Sequence, residues 1–249
     1  MLKRIFAICL GLILVTAIPA RAQTDSAEYL ERAEADIQKR RDATEGQRFG
    51  FAMQVIGEGD ETSDVSLIYN PDNSANFGWT IVSPTLSQNK EIFEETQKQI
   101  ESDAKHNPQE KSDQELIVDE IFDEEAAGFE YLRDDGNVAV FKFNADGSIS
   151  MGRGEDDGDG PDFNKYMKAE LGIDKELGRL AWIHIYAPKP FKPVIVAKIK
   201  KMDIWIHFAP AWTDGPLVQV REEVHVSGSA MFQKFSEHVI EIYSDFQPK

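Results

Sequence analysis

Apolar and polar residues alternate through most of the chain, and three stretches of helical spacing interrupt the alternation. Asp25 to Ala43 carries Leu30, Ala33 and Ile37 in a narrow apolar stripe, and Asp25 with Glu28 offers a capping box, so a surface-lying helix is expected there. Arg48 to Ile56 then alternates, with Phe49, Phe51, Met53 and Val55 on one side, and Val65, Leu67 and Tyr69 repeat the pattern. Asn70-Pro71-Asp72-Asn73 is a turn, and Phe77 to Val82 reads as a third strand of an antiparallel meander. Leu86 to Asn107 returns to helical spacing with Ile92, Phe93, Thr96 and Ile100 on one side, and Ser112 with Glu115 caps a second short helix reaching Phe122.

A second meander follows. Phe129 to Leu132, Val138 to Phe143 and Ser148 to Met151 are expected strands, joined by turns at 134–137 and 144–147. Gly152 to Asp162 is loop, and Lys165 to Ile173 fits a strand or a short helix equally well. Arg179 to Ala187 is a strand, and Pro188, Pro190 and Pro193 frame Phe191 in a stiff connector. Long strands are expected over Val194–Phe208 and Ala230–Phe246. Between them Leu217 to Val226 places Val218, Val220, Val224 and Val226 on one face and Gln219, Arg221, Glu223 and His225 on the other. Ser227-Gly228-Ser229 reads as the turn before the last strand.

Strands this long must twist and curl. The expected fold class is therefore α+β: a strongly curved antiparallel sheet, or half-barrel, with helices over its concave face. One domain is expected over 23–249, with an acidic helical insert near 85–126.

Residues 1–22 have the form of a secretory signal. Lys3 and Arg4 precede an apolar run from Ile5 to Ile18, and Ala20-Arg21-Ala22 supplies small residues for cleavage after Ala22. The run is short for a membrane span, which needs about 20 residues. An exported, periplasmic protein is the expectation. The only cysteine, Cys9, lies in that segment, so the remainder has no disulfide and no thiolate.

Charge narrows the partners. The formal net charge is −17 and becomes −20 once Lys3, Arg4 and Arg21 leave with the signal. Such a field repels nucleic acid and, at long range, anionic head groups, so no nucleic-acid partner is expected. Glu91 to Asp162 holds 22 acids against 6 bases, whereas Arg179 to Lys249 holds 7 acids against 9 bases. Lys198, Lys200 and Lys201 cluster in the second region; a solvated strand face is the default there, a head-group or partner contact the alternative.

Catalytic patterns are weak. Ser227-Gly228-Ser229 lacks the flanking glycine of a nucleophile elbow. Asn144, Asp146, Gly147 and Ile149 match part of a calcium loop, but Lys142 and Arg153 would stand where carboxylates must bind, so a hairpin is expected. Glu155, Asp156, Asp157, Asp159 and Asp162 form a solvated loop by default, with a calcium site as the alternative. His207 and His238 are both expected opposite Val218, too far apart for one ion. Glu222 and Glu223 point to opposite faces and make no dyad. No catalytic residue, metal or cofactor is assigned, and the protein is not read as an enzyme.

The aromatics are more informative. An ordinary core is the default for these large side chains; the alternative is an apolar groove on a curved sheet lined by Trp182, Trp205 and Phe232, with Phe191 and Trp212 in loops at its rim. The order of elements, the Phe77–Val82 run, the 187–193 proline segment and the closing 242–246 segment together resemble the LolA/LppX-like periplasmic carriers and small proteobacterial envelope proteins. The resemblance implies an incomplete antiparallel barrel with helices over its open side. It also implies a carrier for a hydrophobic ligand such as a lipid or lipoprotein acyl chain. The alternative is a non-enzymatic envelope protein that meets a protein partner through its acidic surface. A monomer is the default.

Overall fold

The computed structural model describes residues 20–59, 63–106, 122, 128–144, 164–231 and 233–249. Among these, eleven strands form one curled, open, antiparallel sheet, and two long helices pack against it. The strands are β1 (Phe49–Gly59), β2 (Ser63–Tyr69), β3 (Trp79–Ser83), β4 (Glu130–Asp135), β5 (Val138–Phe143), β6 (Lys168–Asp174), β7 (Arg179–Tyr186), β8 (Phe191–Val194), β9 (Ala197–Pro210), β10 (Leu217–Ala230) and β11 (Gln233–Pro248). Their order is β3-β2-β1-β11-β10-β9-β7-β6-β5-β4, with β8 beside the first part of β9. The first strand thus docks on the last one. The N-terminal meander joins the sheet only through pairing across the whole length of the chain.

Helix α1 (Ala20–Thr44) lies over β6 and β7. Its expected stripe is the contact: Ala33 and Ile37 are buried with Leu171, Ile183, Ile185 and Ile206. Polar ties fix the helix at both ends of that contact. Arg32 donates to the carbonyls of Lys175 (3.1 Å) and Glu176 (3.2 Å), Asp36 binds Arg40 (2.8 Å) and Arg179 (3.1 Å), and Arg40 donates to the Gly215 carbonyl (2.9 Å). The helix is already formed at Ala20, so the capping box expected at Asp25 falls inside it.

Helix α2 (Lys90–His106) lies over β1–β3, where Ile100 and Ile92 meet Val65, Leu67 and Val55. It begins later than the expected Leu86, because Thr85 and Gln88 close a turn: the Gln88 N–H donates to the Thr85 carbonyl at 2.9 Å. Asn89 then caps the helix by accepting the Ile92 N–H (3.2 Å).

Both helices cover the same face of the sheet. Continuous cross-strand pairing of Ile206, Glu222, Glu241, Val55 and Val65 carries one face from the α1 patch to the α2 patch. Curvature comes from bulges, which kink a strand and sharpen its twist. They lie between Gln219 and Arg221, between Ser227 and Gly228, and between Gly50 and Ala52.

Four expectations about local structure need correction. Phe77 is not in a strand: Asn76 and Phe77 adopt left-handed backbone before β3 begins. The span 194–208 is two strands, split by a turn at Ile195-Val196, so the expected proline connector is partly β8, paired to β9 at Phe191↔Ile199. Ser227-Gly228-Ser229 is strand, not turn, and the chain reverses after Ala230. Finally, the bulge at Val220 breaks the valine face of β10. Val218 and Val220 join an aromatic cluster, while Val224 packs with the core beneath α1. Lys165–Ile173, undecided in the sequence, is a short 3-10 turn followed by β6.

Candidate functional site

β10 and β11 form the floor between the two helices. Glu222 and Glu241 are directly opposed there, and Val224 opposes Val239 in the next inward-facing row. All four are half-buried. The α1 core reaches the strip at Ile204 and Ile206, and the α2 core reaches it at Val55. Glu222 and Glu241 belong to neither packed cluster.

Two carboxylates side by side on an apolar floor repel each other and lose hydration. Burial pushes the Glu222 carboxyl above its ordinary range, and the Glu241 charge pushes the same way. A hydrogen bond from Gln219 Nε2 to Glu222 Oε2 (2.9 Å) opposes the shift. On the other side the Tyr243 hydroxyl donates to Glu241 Oε2 at 2.5 Å. The strip therefore offers an apolar bed on which the Glu222 carboxyl favours a proton or a donor group, with Glu241 directly opposite.

The opposite, outer face carries a different array. Tyr186, His184, Trp205 and His207 stack in sequence across β7 and β9, with centroid separations of 4.5, 3.8 and 6.1 Å. Trp182 tilts against Trp205 at 5.2 Å. His184 Nε2 meets Asp203 Oδ1 at 2.9 Å. Glu223 accepts from Arg221 (2.9 Å) and pairs with His238 Nε2 (3.0 Å), whose Nδ1 meets Glu58 at 3.3 Å. The Arg221 hydrogen bond, then that of His238, holds the Glu223 carboxyl below its ordinary range. Burial lowers His207, and Arg221 lowers it further. Glu170 is buried at the edge of this array, clamped by Arg133 (2.9 Å) and the Tyr186 hydroxyl (2.9 Å).

The residues expected in a groove fall in three places. Trp182 and Trp205 sit on the outer face, because Ile183, Ile204 and Ile206 take the inward positions beside them. Neither lies on the helix-covered side. Phe191, expected at a rim, is buried and stacks on Tyr166 at 4.5 Å. Trp212 does sit in a loop, but it packs edge-on against Phe49 at 6.0 Å. It belongs to a cluster with Phe51, Tyr243 and Phe246 that fills the fork where β10 parts from β11 beyond Arg221. Phe232 lies outside the described residues, as do the calcium alternative at 155–162 and the hairpin turn at 145–147.

The histidine geometry also differs from expectation. His207 opposes Arg221, His238 opposes His225, and Val218 opposes Ala209. The bulge and the displaced turn shift both registers. Among the described residues, no three His, Cys, Asp or Glu side chains group so as to hold a metal ion.

The Glu222–Glu241 pair is not legible in the sequence. It needs β11 beside β10 in one particular register, which an isolated sequence pattern does not specify. The available signal was a glutamate at 241 interrupting the otherwise apolar Val239–Tyr243 run.

No protein-family model matches the chain, no curated protein matches it in sequence, and no solved structure matches its fold. Among the described residues no helix is long and apolar enough to cross a membrane.

Proposed function

We propose that this protein is an exported, non-enzymatic binding or carrier protein for an amphipathic ligand, such as a lipid or a lipoprotein acyl chain. The observation that supports it is the half-buried strip between α1 and α2. Val224, Val239 and Val55 would bed the apolar part of the ligand, and the Glu222–Glu241 pair would take a hydroxyl or ammonium donor on its polar end. The curled sheet with helices on one face is also what the LolA/LppX-like resemblance implies. On this reading residues 1–22 direct export to the periplasm and are removed.

Native mass spectrometry of protein purified without detergent tests the proposal. The expected spectrum contains an adduct of lipid mass that weakens in Val224→Glu. Repeated adduct-free spectra, with no displacement of a fluorescent fatty-acid analogue, would overturn it.

The outer face favours a second reading. Trp182 and Trp205 are half-exposed, and Arg221 stands across His207 from Trp182, a composition typical of protein-interface anchors. A partner protein, not a small ligand, would then cover the sheet's outer side. Loss of partner capture in Trp205→Ala, with lipid adducts absent from the wild type, would favour that reading.

A further inference from the structure

The far end of the β8–β11 ribbon presents an apolar tip on a basic collar. Two hairpin turns lie side by side there: Val194 pairs with Ala197, Ala197 with Ala230, and Ala230 with Gln233. The Met231 N–H donates to the Val196 carbonyl at 3.0 Å, which ties the turns together. Ile195 is 96% exposed, Met231 75% and Val196 57%. Single exposed apolar residues are ordinary, but several sharing one tied tip mark a contact surface.

The collar is strongly basic in an otherwise acidic chain, and the strand register assembles it. Residues 187–202 and 226–236 together hold six lysines and no acid. Lys198 and Lys234 both oppose Ser229, two residues behind the turns. That is about 7 Å along a strand. Beside them lies a shallow pocket of about 250 Å³ lined by Lys200, Lys234, Ser227, Ser236, Gly228 and Phe235. The nearest acids along these strands are Asp203 and Glu237.

We infer that this tip docks on an anionic phospholipid bilayer. Ile195, Val196 and Met231 enter the boundary between head groups and acyl chains, while the lysines stay at phosphate level. The offset of Lys198 and Lys234 from the tip matches the roughly 5–10 Å depth to which interfacial elements bury their apolar side, and lysine stems cover apolar surface while their ammonium groups remain wet. The overall negative charge does not oppose this contact at physiological salt, because charges more than about 8 Å from the membrane are screened. Docking of the tip stands independently of whether the inner strip holds a ligand.

Co-sedimentation of the purified protein with phosphatidylcholine vesicles, with and without phosphatidylglycerol, tests the inference. Binding is expected only to the anionic vesicles and should fall as salt rises above the physiological range. Removing each of Lys198, Lys200 and Lys234 as Gln should weaken it roughly fivefold. Ile195→Ser with Met231→Ser should weaken it at least about tenfold. Ile195→Trp adds a readout that does not depend on a disabled variant: the emission of the introduced indole should shift blue on anionic vesicles and not in inorganic phosphate. Wild-type binding by the Ser variant, no binding at physiological salt, an unshifted emission in Ile195→Trp, or a dimer that hides the tip without lipid would each overturn the proposal. None of these outcomes bears on lipid adducts in the native mass spectrum, so the two proposals fail separately.

Discussion

Glu222 and Glu223 are neighbours in sequence, yet they project from opposite faces of β10 and their carboxyls are shifted in opposite directions. Glu222 lies on the inner face opposite Glu241, and burial raises it. Glu223 lies on the outer face, where Arg221 and His238 lower it. The signs for stability follow. The raised group contributes fully below the ordinary glutamate pKa, and that contribution is lost as pH rises through its folded value. Glu222→Gln should therefore leave acid stability unchanged and raise neutral stability, as read from urea midpoints across a pH series. An unchanged difference from acid to neutral pH would refute the buried-carboxyl account.

The lowered group behaves the other way. Its contribution is present above the ordinary glutamate pKa and is lost as pH falls through the folded value. Glu223→Gln should cost no more than about 1 kcal/mol at neutral pH, since the pair is partly exposed. The cost should disappear in acid and shrink in high salt. His207, lowered by burial, adds to the loss of stability on acidification below the ordinary histidine range. His207→Gln should therefore move the onset of acid destabilisation to lower pH.

Trp182 lies across Gly172 of the adjacent strand so closely that a Cβ at residue 172 would stand 2.2 Å from the indole ring. The aromatic ring fills the space that the missing side chain leaves on the outer face. Gly172→Ala should cost about 1–3 kcal/mol by overpacking. The corresponding fall in Tm is about 2–4 °C per kcal/mol for a chain of this size. The near-UV circular dichroism of the Trp182–Trp205 pair should change with it.

Ala33 is completely buried where α1 crosses β6 and β7. Ala33→Asp places an unpaired charge in that contact, which costs several kcal/mol unless the helix lifts away. Release of α1 is the expected response, seen as faster proteolytic cleavage between residues 38 and 48 with the sheet's circular dichroism retained. Cleavage at the wild-type rate would mean that α1 contributes little cover to the core.

Much of the architecture was legible in the residues. Val138–Phe143 was bounded correctly because Gly136-Asn137 closes a two-residue hairpin turn, and Gly136 takes positive φ. Leu30, Ala33 and Ile37 marked the buried face of α1. Failures came where one residue changes parity. A single extra residue at Val220 sent Val218 and Val224 into different clusters, and alternation alone carries no mark of a bulge. Ser227-Gly228-Ser229 looked like a turn, but Gly228 is needed inside the strand: a Cβ there would stand 2.4 Å from the Lys198 carbonyl. Size alone marks the tryptophans as important, while the face they occupy depends on register.

Local sequence was enough to set the class of fold. Alternation, turn residues and strand length act within a few neighbours, so they are written locally and specify a curled antiparallel sheet with amphipathic helices on it. Only the assembled sheet brings β1 beside β11, Glu222 against Glu241, and Ile195 and Met231 onto one tip. Those contacts join residues far apart in the chain, and the register that creates them is chosen by the packing of the whole sheet.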